Sequence, residues 1–110
     1  ISFADLPDIG FNPIDPRGRS NNWLTVVVLP ESNPDLPLKL MTALAEADIE
    51  ARPAWKPMHM QPVFSGREFI GADVASTAFA RGVCLPSGSG MSDSDVERVI
   101  AAALPVLTDG

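Results

Sequence analysis

The sequence predicts an α+β fold, a small, mostly antiparallel sheet with helices on one face. Three observations point there. An apolar, β-branched run over residues 23–29 reads as a strand. Apolar residues recur at helical spacing in three later segments. Eleven prolines and eight glycines in 110 residues punctuate the chain, so its elements must be short. The order reads β-β-α-β-α-β-α, and helices laid on one face of such a sheet bury the apolar surfaces of both.

Residues 1–8 are polar and turn-rich and read as a disordered lead-in or interdomain linker, with a single domain over 9–110. Residues 9–14 form a short edge strand, because Pro13 and Pro16 fit only an edge or an end. Residues 16–22 are an exposed turn. The run 23–29 is continuously apolar, which predicts a central strand with both faces covered, ended by Pro30. A helix follows, with Asp35 as its cap and Pro37 in its first turn. Leu38, Met41, Leu44 and Ala45 line its inner face. It stops near Ala47 and Asp48, since aspartate tolerates the left-handed conformation found there.

Residues 49–55 form the next strand. Residues 71–81 form a second helix, with Val74, Ala75, Ala78 and Phe79 inward and Gly82 as its stop. Residues 83–85 form the last strand, ended by Pro86. Ser92 opens the final helix, and Asp95 three residues on completes a capping box. Val96, Val99, Ile100, Ala103 and Leu107 face inward, and Pro105 kinks or ends the helix.

Composition excludes several functions. An apolar fraction of 45% with 20% charged residues is that of an ordinary globular domain. A net charge of −6 lacks the basic footprint of a nucleic-acid binder and disfavours an anionic membrane surface. No apolar run approaches the roughly 20 residues of a membrane span. No secretory signal opens the sequence, so the expected residence is cytoplasmic. Cys84 is the single cysteine, which rules out an internal disulfide and a cysteine-based zinc site. Its apolar flanks read as a buried structural thiol. The first residue is Ile1 rather than Met, which reads either as a processed chain or as a piece of a longer one.

The densest chemistry lies at 52–64, Arg-Pro-Ala-Trp-Lys-Pro-Met-His-Met-Gln-Pro-Val-Phe. It holds the only histidine, His59, with Trp55, Lys56 and Arg52 within eight residues. Prolines at 53, 57 and 62 deny it a helix, so it reads as a short extended piece followed by a stiff loop. Such a loop loses little entropy on binding. Cations, an aromatic ring and an imidazole suit an anionic, ring-bearing ligand. Packing of the loop on its own domain is the reading these residues favour when taken alone, since a lone histidine is more often structural than functional. Elsewhere, Ser87-Gly88-Ser89-Gly90 lacks the ending of a Walker loop and the spacing of a nucleophile elbow, and reads as a plain turn. One histidine and scattered acids make neither a catalytic triad nor a metal site.

Taken together, Ser20-Asn21-Asn22-Trp23-Leu24-Thr25, the string from Ile49 to Phe64, Arg81 to Ser89 and Asp93 to Val99 resemble the C-terminal small domain of the DegT/StrS sugar aminotransferases. The Arg-Pro-x-Trp-Lys-Pro-x-His string carries most of the specificity. The likeness runs from about residue 9 to about residue 104. It is nearest to the subgroup that aminates UDP-linked 4-keto-6-deoxy sugars. It implies the aspartate-aminotransferase fold (fold type I), pyridoxal 5'-phosphate, an amino-acid donor such as glutamate, and a homodimer. It also implies a large N-terminal domain bearing the Schiff-base lysine. Neither Lys39 nor Lys56 matches that lysine, so the chain by itself should be catalytically incomplete and inactive. Asp48 stands where the resemblance implies a glycine.

The resemblance further implies that the loop lines the substrate cleft. His59 would contact the nucleotide sugar, Lys56 and Arg52 would face its diphosphate, and Trp55 would pack beside sugar or base. Arg52 has the alternative of pairing with an acid inside the domain. The competing reading is a free-standing, non-catalytic α+β domain that binds a ligand or partner.

Overall fold

The computed structural model describes residues 3–109. Four strands form one sheet in the order β1-β2-β4-β3: β1 Gly10–Phe11, β2 Thr25–Val28, β3 Arg52–Pro53 and β4 Gly82–Leu85. Every pairing is antiparallel. Three α-helices complete the fold: α1 Leu36–Glu46, α2 Val74–Arg81 and α3 Asp93–Thr108. The expected α+β class and element order are both present.

Val27 lies opposite Val83, and Thr25 opposite Leu85. Alternation along a strand therefore puts Val27, Leu29, Val83 and Leu85 on one face. That face is buried under Leu36, Leu40 and Leu44 of α1 and Val99 and Ala103 of α3. Val26, Val28 and Cys84 lie on the opposite face and are only half-buried. β2 is central, as expected, but only one of its faces is fully covered. Within the segment read as a lead-in, Phe3–Asp5 forms a 3-10 turn, and the Phe3 ring belongs to the core cluster.

Other expectations need correction. In α1 the inner face is Leu36, Pro37, Leu40 and Leu44, whereas Leu38 is 67% exposed and Ala45 is exposed. The i, i+4 ladder starting at Leu36 reaches the sheet, and Leu38 falls about 160° away from Leu40 on the wheel. Asp35 occupies the N-cap position but its side chain makes no capping bond. α2 starts at Val74, three residues later than expected, and its Val74, Ala75 and Ala78 are exposed. Its half-buried side is Ser76, Thr77 and Phe79, and Ser76 Oγ on that side lies 3.0 Å from His59 Nε2.

Gly82 does not end α2 in a left-handed conformation. It is extended at φ −89°, and a Cβ there would sit 2.5 Å from the Ala78 carbonyl oxygen and 2.9 Å from the Ala54 Cβ. Close approach of α2 and β3 to β4 is what demands glycine.

The end of α1 agrees with the sequence reading. Asp48 is left-handed at φ 54°, its N–H donates to the Ala45 carbonyl at 3.0 Å, and the Ile49 N–H donates to the Leu44 carbonyl at 2.9 Å. These are the two bonds of a Schellman motif, with buried Ile49 and Leu44 as its apolar contact. Arg98 of α3 donates to the Ala47 carbonyl at the same helix end. In α3 the capping box forms: the Ser92 N–H donates to Asp95 Oδ2 at 2.8 Å, and the Asp95 N–H to Ser92 Oγ at 3.3 Å. Val96 is exposed, while Val99 and Ala103 are buried. Pro105 does not end the helix, which runs on to Thr108. Pro105 and Ala101 are both exposed, so the carbonyl that loses its N–H partner at this point faces water.

Candidate functional site

β3 is held to the sheet through Arg52 opposite Cys84 and Pro53 opposite Val83, and the Ala54 N–H donates to the Gly82 carbonyl at 2.9 Å. Past Ala54 the chain leaves the sheet. Two consecutive 3-10 turns follow, Met58–Met60 and Pro62–Phe64, separated by an extended Gln61. The Gln61 amide donates back to the Lys56 carbonyl at 3.4 Å. The strand expected over 49–55 is thus only Arg52–Pro53, and the loop after it is built from two 3-10 turns.

The structure divides the four candidate residues. Arg52, Trp55 and Lys56 line a groove of about 990 Å³, together with Ser87, Met91 and Arg98. His59 does not line it. Within the groove, Arg52 is bonded to Glu50 at 2.6 Å, with both side chains largely exposed. The alternative of an acid inside the domain is therefore realised. An ion pair this exposed contributes little to stability, so Arg52 is free to exchange its partner for a ligand. The Lys56 ammonium has no anionic partner among the described residues.

Trp55 is 62% exposed and tilts against Trp23, itself 68% exposed, with ring centroids 5.5 Å apart. Two exposed indoles in contact make an aromatic surface suited to a planar ring or a sugar face. Trp23 was not among the candidate residues. Its place in the Asn21-Asn22-Trp23 string was the one signal that could have found it.

His59 turns toward α2. Its Nε2 lies 3.0 Å from Ser76 Oγ, and its ring stacks on Phe69 at 3.9 Å between centroids. The neighbouring Gly71 has φ 153°, and a Cβ there would sit 3.0 Å from Phe69 Cζ. The absence of a side chain at 71 thus leaves room for the ring that covers His59.

Ser87, Cys84 and Asp95 also line the groove, and each is engaged within the fold. Ser87 Oγ accepts from the Thr25 N–H at 2.8 Å and donates to the Leu85 carbonyl at 2.9 Å, which fastens β2 to the end of β4. The segment 87–90 is thereby the plain turn expected. Burial raises the pKa of Cys84, keeping its thiol protonated and poorly nucleophilic. The Ser92 hydroxyl and backbone N–H lower the pKa of Asp95. Among the described residues no group of three or more His, Cys, Asp or Glu could hold a metal ion, and no helix is long and apolar enough to cross a membrane.

Comparison with known proteins identifies the family of the chain. The signature of the DegT/DnrJ/EryC1/StrS aminotransferase family matches residues 2–104. The chain belongs to that family. It is 42% identical over 107 residues to EpsN of Bacillus subtilis (strain 168), which is described as a pyridoxal phosphate-dependent aminotransferase. The match takes in 94% of this chain and 27% of EpsN. It is 31% identical over 90 residues to the GDP-perosamine synthase of Caulobacter vibrioides, covering 82% of this chain and 24% of that protein. The chain thus spans about a quarter of the length of these relatives.

Among solved structures, the aminotransferase TlmJ of Streptoalloteichus hindustanus superposes with a TM-score of 0.80 at 20% identity, over 96% of this chain and 28% of TlmJ. PseC of Helicobacter pylori, an aminotransferase of pseudoaminic acid biosynthesis, gives 0.78 at 17% identity, over 98% of this chain and 29% of PseC. These two establish the fold.

Pyridoxal phosphate does not fit the residues of this chain. A Schiff-base lysine works from an enclosed, partly desolvated site. Lys39 is exposed on α1 and Lys56 is exposed on the loop. Neither is enclosed by groups that would hold a pyridine ring and a phosphate.

Proposed function

We propose that this chain is the substrate-side C-terminal domain of a pyridoxal phosphate-dependent aminotransferase that aminates a nucleotide-linked keto sugar, with an amino acid such as glutamate as donor. The lysine that carries the cofactor then belongs to a large N-terminal domain, and the enzyme works as a homodimer. The observation that carries the reading is the groove that joins the Trp23–Trp55 surface to Lys56 and Arg52. It offers stacking beside positive charge, the chemistry that a base and a diphosphate require.

In this reading Lys56 meets the diphosphate as a point charge, and Arg52 exchanges Glu50 for a phosphate oxygen. Trp55 and Trp23 pack against base or sugar. His59 supplies one hydrogen bond from the far side of the loop. These contacts bind and orient the sugar, and none of them moves a proton at the reacting carbon. The resemblance favours a uridine nucleotide. The relative named GDP-perosamine synthase favours guanosine as a second reading.

The test is His59→Ala in the enzyme that carries this chain, with each half-reaction followed separately and both UDP- and GDP-linked sugars supplied. One lost hydrogen bond to a polar or charged group costs about 1–3 kcal/mol. The expected fall in kcat/KM for the nucleotide sugar is about ten- to a hundredfold. The half-reaction with the amino-acid donor stays within about twofold. Equal losses in both half-reactions, or no loss in either, would overturn the reading.

A further inference from the structure

We infer that Ser76 is a positioning residue for His59: its hydroxyl donates to Nε2 and so fixes the imidazole with its proton on Nδ1. The inference rests on the reading of His59 as a ligand-contacting residue and adds the identity of the nitrogen that makes the contact. Ser76 Oγ lies 3.0 Å from Nε2 and makes no other hydrogen bond among the described residues. The contact allows either direction, and donation by the hydroxyl meets no competing protein acceptor among the described residues. A neutral imidazole that accepts at Nε2 must donate at Nδ1.

Nδ1 has no partner among the described residues. The ring cannot readily turn to exchange its nitrogens, because Phe69 covers one face at 3.9 Å and Gly71 leaves that ring room to do so. A donor at Nδ1 is what an anionic or carbonyl oxygen of a ligand needs. The opposite tautomer would present a lone pair to that oxygen and repel it. A hydroxyl suits this task because it can also accept, so a protonated His59 keeps the same partner.

Ser76 stands at the third position of α2, whose N-cap is Asp73. Replacing it by alanine favours the helix and leaves the core untouched. His59 is the only histidine of the chain, so its ring nitrogens are observed without overlap.

The experiment is long-range proton–nitrogen NMR of the 110-residue chain, at a pH where the imidazole is neutral, for wild type, Ser76→Ala and Ser76→Thr. We expect the Nδ1–H form to predominate in wild type, to give way to the Nε2–H form in Ser76→Ala, and to be retained in Ser76→Thr. A wild-type ring protonated at Nε2 would overturn the inference, as would a tautomer unchanged by Ser76→Ala. In the enzyme that carries this chain, Ser76→Ala should raise KM for the nucleotide sugar about three- to tenfold and leave kcat unchanged, with Ser76→Thr restoring KM. If the NMR result holds while His59→Ala leaves the nucleotide-sugar step unaffected, the ligand role of His59 fails and the tautomer assignment stands.

Discussion

Single side chains in this domain are held by partners distant in sequence, and that decides how each responds to change. His59 is clasped by Ser76 and Phe69, whereas Lys56 three residues earlier has only its backbone carbonyl engaged. In the proposed complex the first is placed before the ligand arrives, and the second is ordered only on binding. Asp95, by contrast, is held by a partner three residues away, Ser92. The Ser92 hydroxyl, then the Ser92 backbone N–H, lower its pKa relative to an ordinary carboxylate. A lowered folded-state pKa stabilises the fold above the unfolded-state value, and that contribution disappears as pH falls through the lowered value. Ser92→Ala should therefore reduce Tm at pH 7, and the deficit relative to wild type should shrink between about pH 4 and pH 2. Thermal melts across that range check it, and a deficit constant down to pH 2 would contradict it.

The elements show where sequence suffices and where packing decides. The Schellman end of α1 at Asp48 and the Ser92–Asp95 capping box were legible because their signals are local. The inward face of α1 was not. Leu36, Leu38, Leu40, Met41 and Leu44 fit more than one helical stripe, and only the position of the sheet selects Leu36, Leu40 and Leu44. Leu40 is fully buried and Leu38 is 67% exposed. Leu40→Ala should destabilise the domain by about 2–5 kcal/mol, and Leu38→Ala by less than about 0.5 kcal/mol. Urea unfolding of the two variants separates them, and comparable losses would refute the assigned face. That the chain leaves the strand for a non-helical loop was recognisable from its prolines. Its pairings were hidden: Trp23–Trp55 and His59–Ser76 depend on the path after Ala54 and on the entry to α2, and neither carries a local signature.

At the scale of the whole molecule, α1 and α3 cover one sheet face, and the other carries half-buried Val26, Val28 and Cys84. Exposed Val63 lies within the candidate loop, and exposed Ile70 and Val74 follow it in sequence. Surfaces of this kind associate when left bare. The isolated chain should elute in size-exclusion chromatography with an apparent mass that rises with concentration, and should bind an apolar dye. A monomer without dye binding at every concentration would count against an apolar docking surface. The central claim is that this domain holds the substrate while the cofactor is bound by another part of the enzyme. Borohydride reduction in the presence of pyridoxal phosphate, followed by peptide mass mapping, tests that claim most directly. No stoichiometric adduct is expected on the 110-residue chain, and in the complete enzyme the adduct is expected on a lysine other than Lys39 and Lys56. A stoichiometric phosphopyridoxyl group on Lys39 or Lys56 would contradict it.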